Sequence, residues 1–340
     1  MLFVKSHPMS TNSSAFAARK VIYDTDPGVD DAMALYYALA HPGIDVVGIT
    51  TTFGNVTVEQ AATNGLYVTE IAGRKIPVTL GVKTPWLKAP GTPPDFIHGG
   101  DGLGNLPSRV ATTSVLDPRP SAQFIVDMAR AHPGEITLVA VGPLGNLATA
   151  LKLEPKLPQL LQEVIIMGGT IVEPGNVSPV AEANIWNDPH SADFVFTAGW
   201  KLTMVGLDVT HQLIVPLALF KKVADHHKHV ATDTLHHAVS FYADFYSGIY
   251  PHVAKIHGCF GHDVLAFVAL TNPELFEIQT GRIRVALDGP ANGQTMMRRK
   301  DIFYPQPGWG DEVPDTHACL QLRADEALQL IESTLMSNWL

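Results

Sequence analysis

The sequence predicts an α/β protein: a single domain around a mostly parallel central sheet with helices on both faces, a Rossmann-like open arrangement, with an additional helical segment in the C-terminal third. Three observations predict it. Apolar, β-branched runs alternate with segments of helical spacing. The connections between them are short, about 2–6 residues. The 340-residue chain is 46% hydrophobic and 16% charged, ample material for a buried core.

The elements follow in order. KVIYDT (20–25) reads as a strand and stops at Asp26-Pro27-Gly28. Residues 29–41 then place Ala32, Leu35, Tyr36 and Leu39 on one helical face, and His41-Pro42-Gly43 ends that helix. A second strand spans 45–53 and ends at Gly54-Asn55. A second helix spans 58–73, with Gly73 as its C-cap, and a third strand spans 76–81. Residues 82–118 are rich in Pro and Gly and predict a long functional loop region. Strands are expected at 136–142, 163–169 and 201–208, with helices around 120–131, 146–152 and 189–198. Residues 211–262 read as mostly helical. Unbroken apolar strands alternating with helices imply a sheet covered on both faces. No repeat or linker interrupts 20–340, which is expected to be one domain. Residues 1–19 hold Lys5, Arg19, several Ser and no acid. Lacking an apolar h-region, they are expected to be an unstructured tail or an appended sequence rather than a targeting segment.

Composition excludes several classes. High hydrophobicity with low charge excludes intrinsic disorder. A net charge of −10, with no basic run longer than Arg298-Arg299-Lys300, argues against nucleic acid as a partner. No membrane helix is expected, because the longest apolar stretch, Ile136 to Leu151, is broken by Gly142, Pro143, Gly145 and Asn146. Cys259 and Cys319 make no disulfide framework and permit a reducing compartment, so a cytoplasmic location is expected.

In an open parallel sheet, ligands bind beyond the carboxyl ends of the strands. At those ends stand Asp24, Asp26, Asp30 and Asp31, then Asn55, Val141 and Asn146, then Asn176, Glu182, Asn184 and Asp208. DTDPGVDD is the sharpest of these. A capping and first-turn role explains one or two acids, since a carboxylate there gains only ~0.3–1 kcal/mol from the helix dipole. Four carboxylates within eight residues call for a counter-ion, and without nearby Cys or His a hard Ca²⁺ or Mg²⁺ fits better than Zn²⁺. An aspartyl-phosphate site fits poorly, because Pro27 and Gly28 stand where that pattern expects Thr or Val. No phosphate-binding Gly-rich loop with Lys is present.

DTDPGVDDAMAL resembles the N-terminal signature of the Ca²⁺-dependent, inosine-uridine preferring nucleoside hydrolases. The resemblance runs over about 20–335 and includes ITTTFGN (49–55), IHGGDGLG (97–104), VAVGPLGNLA (139–148), EVIIMGG (163–169), GNVSPVAEANIWNDP (175–189), VGLDVTH (205–211) and GHDVLAF (261–267). It implies an enzyme that cleaves the N-glycosidic bond of ribonucleosides with water, giving ribose and free base for nucleoside salvage. It also implies a homodimer or homotetramer. By position, Asp26, Asp31, Asp263 and the carbonyl of Val141 would ligate Ca²⁺, and Asp26 would deprotonate the attacking, cation-bound water. Asp30 and Asn184 would hold the ribose 2′-hydroxyl, Asp263 the 3′-hydroxyl, and Asn176 and Glu182 the 5′-hydroxyl. Asn55 would stand among the ribose contacts and support the acid cluster. His98, Tyr246, Tyr250 and His262 would surround the base, with His262 the acid for the departing base, relayed through Tyr250. Ala183 stands where some relatives carry Phe, which alters one wall of the base pocket.

Plainer readings exist for several of these. His98 could end a loop. Asp263 could open a helix. Tyr246 and Tyr250, four apart, could simply pack. Asn176, Glu182 and Asn184 could be solvated, and Trp186 reads as wall or core. The His-rich run 225–237 reads as a solvated amphipathic segment rather than a transition-metal site. Two functional alternatives remain: a purine- or pyrimidine-restricted hydrolase, or a Ca²⁺-dependent nucleoside- or ribose-binding protein without turnover. The presence of His262 where purine-selective relatives place Trp weakens the purine-only case.

Overall fold

The computed structural model describes residues 18–299, 302–306, 308–310 and 312–340. The expectation for residues 1–17 lies outside them, and Arg19 already opens the first strand. The strands are β1 (Arg19–Thr25), β2 (Ile44–Thr51), β3 (Val78–Thr79), β4 (Ile136–Ala140), β5 (Glu163–Met167), β6 (Leu202–Val205), β7 (Ile214–Pro216), β8 (Gly258–Phe260), β9 (Phe276–Val285), β10 (Thr295–Arg298) and β11 (Thr316–Leu322). Among the described residues, nine form one sheet in the order β10-β9-β11-β6-β5-β4-β1-β2-β3. From β11 to β3 every pairing is parallel, while β9 pairs antiparallel with β11 and β10.

Both faces are covered, as the unbroken apolar strands require. Successive residues of β1 alternate between two cores: Val21 and Tyr23 join one, and Ile22 joins the other. The first core takes in the helices Val29–Ala40, Val230–Ile249 and Val264–Thr271, with the Tyr23 ring 5.1 Å from that of Phe267. The second takes in the helices Ser121–Ala131, Gly145–Leu153 and Pro189–Phe196.

Three parts of the sequence reading need correction. The third strand shrinks to Val78–Thr79. The segment 211–262 is helical at Leu217–His227 and Val230–Ile249, but also carries the antiparallel pair β7–β8. The edge formed by β9, β10 and β11 carries charged and half-exposed positions that do not read as buried strand. In the loop region 82–118 a short helix, Asp95–His98, brings His98 inward.

The order of connection matters for the site. From β1 the chain moves one way to β2 and β3, then returns to place β4 on the other side of β1. Such a reversal leaves a crevice at the carboxyl ends of the two adjacent strands. Asp26 follows β1 there and Val141 follows β4.

Candidate active site

The turn after β1 is wound by its own acids. Gly28 precedes the helix Val29–Ala40, and the Asp31 carboxylate accepts the Gly28 N–H at 2.9 Å, so it closes the first turn as a cap. Its other oxygen accepts from the Thr25 hydroxyl and the Asp26 N–H. The first-turn reading thus holds for Asp31, but the cap expected of Asp26 is not there: Gly28 stands at the cap position, and Asp31 closes the turn. Asp26 accepts the Asn55 N–H at 2.6 Å through Oδ2, while its Oδ1 is buried with no hydrogen-bond partner. Two glycines crowd this carboxylate. A Cβ on Gly54 would lie 2.0 Å from Oδ2, and one on Gly142 would lie 2.5 Å from Oδ1.

Asp263 closes the site from the far end of the chain. It stands at the start of the helix Val264–Thr271, which packs on the helix carrying Asp30 and Asp31. Asp30, Asp31 and Asp263 are all buried and offer carboxylate oxygens within 4.8 Å of one another. Among the described residues no Lys or Arg pairs with them. His98 Nδ1 approaches Asp30 Oδ1 at 3.8 Å, yet this is no ion pair. Nδ1 accepts the Val29 N–H at 3.2 Å, and burial lowers the imidazole to about 4, so the ring is neutral with its proton on Nε2. Burial first, and the neighbouring acids second, push Asp26 and Asp263 well above the carboxylate range. Burial raises Asp30 and Asp31 to about 6.

These observations test whether the residues fit a cation. Asp26 Oδ1 and Asp30 Oδ1 are orphaned buried oxygens, and an isolated buried carboxylate is costly. An all-oxygen, multiply anionic donor set suits a hard divalent ion. The residues fit. The His-rich run 225–237 assembles no comparable group among the described residues.

Asp30 and Asp263 line the floor of a cleft of about 700 Å³, with the Asp31 carboxylate close behind them. On one side, Glu182 accepts three amide N–H groups, from Gly169 at 2.9 Å, Asn184 at 2.8 Å and Ile185 at 3.1 Å, while burial raises it to about 7. Asn184 donates Nδ2 to the carbonyls of Val141 at 2.7 Å and Met167 at 3.2 Å, leaving its Oδ1 to accept. Asn176 lines the same wall and accepts the Ala183 N–H at 3.0 Å. Asn55 gives its N–H to Asp26 and its Nδ2 to Asp31, so it braces the acids from both sides.

On the other side stands a ladder of rings. Tyr242, Tyr246 and Tyr250 rise along one face of the helix Val230–Ile249 and its cap. The hydroxyl that meets His262 belongs to Tyr246, at 3.0 Å from Nε2, not to Tyr250 as expected. Tyr242, absent from the sequence reading, donates to Asp30 Oδ2 at 2.9 Å and lies 3.3 Å from the Tyr246 hydroxyl. Thr210 Oγ1 lies 2.8 Å from His262 Nδ1. An ionised carboxylate only accepts, which gives this chain a direction. Tyr242 donates to Asp30, Tyr246 to Tyr242, His262 Nε2–H to Tyr246, and Thr210 to His262 Nδ1. Burial, with His211 and His98 nearby, keeps His262 well below its usual range and hence neutral.

Fold and site together define an α/β enzyme whose cleft, at the switch point of a parallel sheet, is floored by carboxylates and walled on one side by aromatic rings. Residues 21–329 match the family model described as inosine-uridine preferring nucleoside hydrolase. Among curated proteins, the chain is 37% identical over 322 residues to a probable uridine nucleosidase 2 of Arabidopsis thaliana, covering 94% of this chain and 98% of that protein. It is 36% identical to an inosine-uridine preferring nucleoside hydrolase of Leishmania major, covering 85% of this chain and 90% of that one. Among solved structures, a plant nucleoside hydrolase superposes with TM-score 0.86 at 33% identity, covering 94% and 99% of the two chains. A purine-preferring ribonucleoside hydrolase from Gardnerella vaginalis gives 0.85 at 30%, covering 94% and 98%. The chain belongs to the inosine-uridine preferring nucleoside hydrolase family. It is a hydrolase of ribonucleosides, releasing ribose and free base. No helix among the described residues is long and apolar enough to cross a membrane.

Proposed function

We propose that the aspartate cluster holds Ca²⁺ through Asp26, Asp31, Asp263 and the Val141 carbonyl, and that the cleft above it binds a nucleoside ribose-down. The observation that carries this reading is the meeting of the buried Asp30, Asp31 and Asp263 carboxylates within 4.8 Å at the floor of the cleft, with no Lys or Arg ion-paired to them among the described residues. When bound, such a cation supplies a fixed positive charge and Lewis-acid polarisation of oxygen ligands.

The chain's own residues do the rest. Asp26 Oδ1, unpartnered and fixed by the Asn55 amide through Oδ2, accepts the proton of the attacking water. Asp30 and the free Oδ1 of Asn184 accept the 2′-hydroxyl, and Asp263 takes the 3′-hydroxyl. Glu182 and Asn176 take the 5′-hydroxyl. These oxygens also face the positive charge that develops on the ribosyl ring as the glycosidic bond breaks. His98, Tyr246, Tyr250 and His262 surround the base. His262 passes its Nε2 proton to the departing base nitrogen while a proton enters at Nδ1 from the Thr210 side, so the ring is neutral before and after; Tyr246 holds the Nε2–H at the cleft wall until then.

The proposal extends to base range. Uridine and inosine are both taken as substrates, in keeping with the names of the relatives above and with His262 at the position that purine-selective relatives give to Trp. A homodimer or homotetramer, a role in nucleoside salvage and a cytoplasmic location, the last supported by two unpaired cysteines, complete the reading. The test is incubation with inosine, uridine, cytidine and adenosine followed by a reducing-sugar assay, with metal analysis of the active protein. Release from uridine and inosine with about one Ca²⁺ per chain is expected. Full activity in metal-free protein would overturn the cation assignment.

A further inference from the structure

The loop between β5 and the helix Ala183–Asn187 carries Asn176 and leads into Glu182, and it is held in an unusual way. Five successive amides, from Gly169 to Glu173, donate to side chains. Gly169 donates to Glu182, Thr170 to the Thr295 hydroxyl at 2.8 Å, Ile171 to Asp208 Oδ2 at 2.7 Å, and Val172 and Glu173 to Asp208 Oδ1 at 2.7 and 3.0 Å. Such a loop has no ladder of its own, and its shape is dictated by the acceptors around it. Asp208 supplies three of the five. It sits 7% exposed in the single helical turn Leu207–Thr210 that follows β6. The turn is pressed on the loop: the Leu207 N–H donates to the Gly169 carbonyl at 2.9 Å, and a Cβ on Gly206 would lie 2.7 Å from that same oxygen.

We propose that Asp208 is a positioning residue for the ribose 5′ end, acting through this loop and without touching substrate. The proposal rests on the reading of Asn176 and Glu182 as the groups that hold the 5′-hydroxyl. Asp208 accepts three amides and so sets the path from Gly169 to Glu173. Beyond it the chain folds back tightly, with Gly175 N–H on the Pro179 carbonyl at 3.2 Å and Asn176 Oδ1 on the Ala183 N–H. The placement of Asn176 against Glu182 follows from that path. In Asp208→Asn, an amide nitrogen replaces one carboxylate oxygen and turns an acceptor toward Ile171 or Val172 into a donor.

The experiment compares wild type and Asp208→Asn on inosine and 5′-deoxyinosine, with hydrogen exchange on both proteins. Wild type should prefer inosine. Asp208→Asn should lose about tenfold in kcat/KM on inosine, mostly through KM, and much less on 5′-deoxyinosine, because the missing hydroxyl makes the loop's placement irrelevant. Exchange protection should fall at 170–176 and hold elsewhere. Equal losses on both substrates, or a loss of protection across the whole protein, would make Asp208 merely structural and overturn the proposal while leaving the 5′ reading intact. A wild type indifferent to the 5′-hydroxyl would remove that reading, and the proposal with it.

Discussion

Asp31 and Asp263 come from opposite ends of the chain and bring carboxylate oxygens within 4.8 Å of each other, with no Lys or Arg ion-paired to either among the described residues. That pairing is tolerable only with protons or a cation between them. Asp263→Ala should therefore abolish turnover while leaving far-ultraviolet circular dichroism unchanged. It should also cut Ca²⁺ affinity, read by calorimetry on protein stripped with chelator. An Asp263→Ala protein that binds Ca²⁺ as tightly as wild type would refute the assigned ligand set.

The buried acids of the first strand and the turn after it set a pH dependence in the stripped protein. Asp24 rises to about 7, and Asp30 and Asp31 to about 6, each by burial first, against about 3.9 in an unfolded chain. Between roughly pH 4 and 7 these carboxyls bind more protons folded than unfolded, so they make stability fall as pH rises through that window, against the smaller opposite effect of the buried neutral His98 and His262 below about pH 6.5. The melting temperature of chelator-treated protein should be higher at pH 5.5 than at pH 8. Excess Ca²⁺ should raise it more at pH 8 than at pH 5.5, where protons compete. A stripped protein that gains stability steadily up to pH 8 would contradict this.

His262 can be isolated by its leaving group. His262→Ala should lower kcat on inosine by about 10²–10⁴-fold. On a p-nitrophenyl riboside, whose phenolate departs without a proton, the loss should be far smaller. Equal losses on the two substrates would deny His262 the role of acid.

Gly142 offers a steric test. A methyl there would lie 2.5 Å from Asp26 Oδ1 and 2.8 Å from Thr52 Cγ2, both buried. Gly142→Ala should cost about 10²-fold in kcat by displacing the base. Near-wild-type turnover would mean that Asp26 is not the proton acceptor.

Away from the site, Phe124 is fully buried in the second core, against Gly48 of β2. Phe124→Ala should lower stability by about 3–5 kcal/mol in urea titration. Turnover per folded molecule should not change, and a matching loss of kcat would show that the two faces of the sheet are coupled.

The sequence makes the first half of this molecule legible because β1, β2, β4, β5 and β6 are buried on both faces and therefore read as apolar runs. It hides the other edge for the same reason. The β9 strand exposes Glu277, Ile278 and Thr280, buries Ile283 and Val285, and carries half-buried Gln279, Arg282 and Arg284, which reads as a polar segment. The pair β7–β8 is three residues long on each side and sits among helices. The acid cluster is legible because carboxylates so close in sequence have few structural uses. Tyr242 is not, since its role depends on a hydroxyl reaching Asp30 across the fold; the only signal is its spacing of four from Tyr246. Asp208 shows in the sequence only as an acid at a strand end, and Thr210 not at all, because their partners, backbone amides and an imidazole across the fold, leave no trace in a side-chain pattern.

The packing of the helix Val264–Thr271 on the helix Val29–Ala40 has a consequence for biosynthesis. The Asp26–Asp31 turn leaves the ribosome early, whereas the helix that buries it is translated near the end. Until Phe267 docks on Tyr23, the acids of that turn remain hydrated and apart from Asp263. The N-terminal segment therefore cannot complete its native surroundings until residues 264–271 have been made.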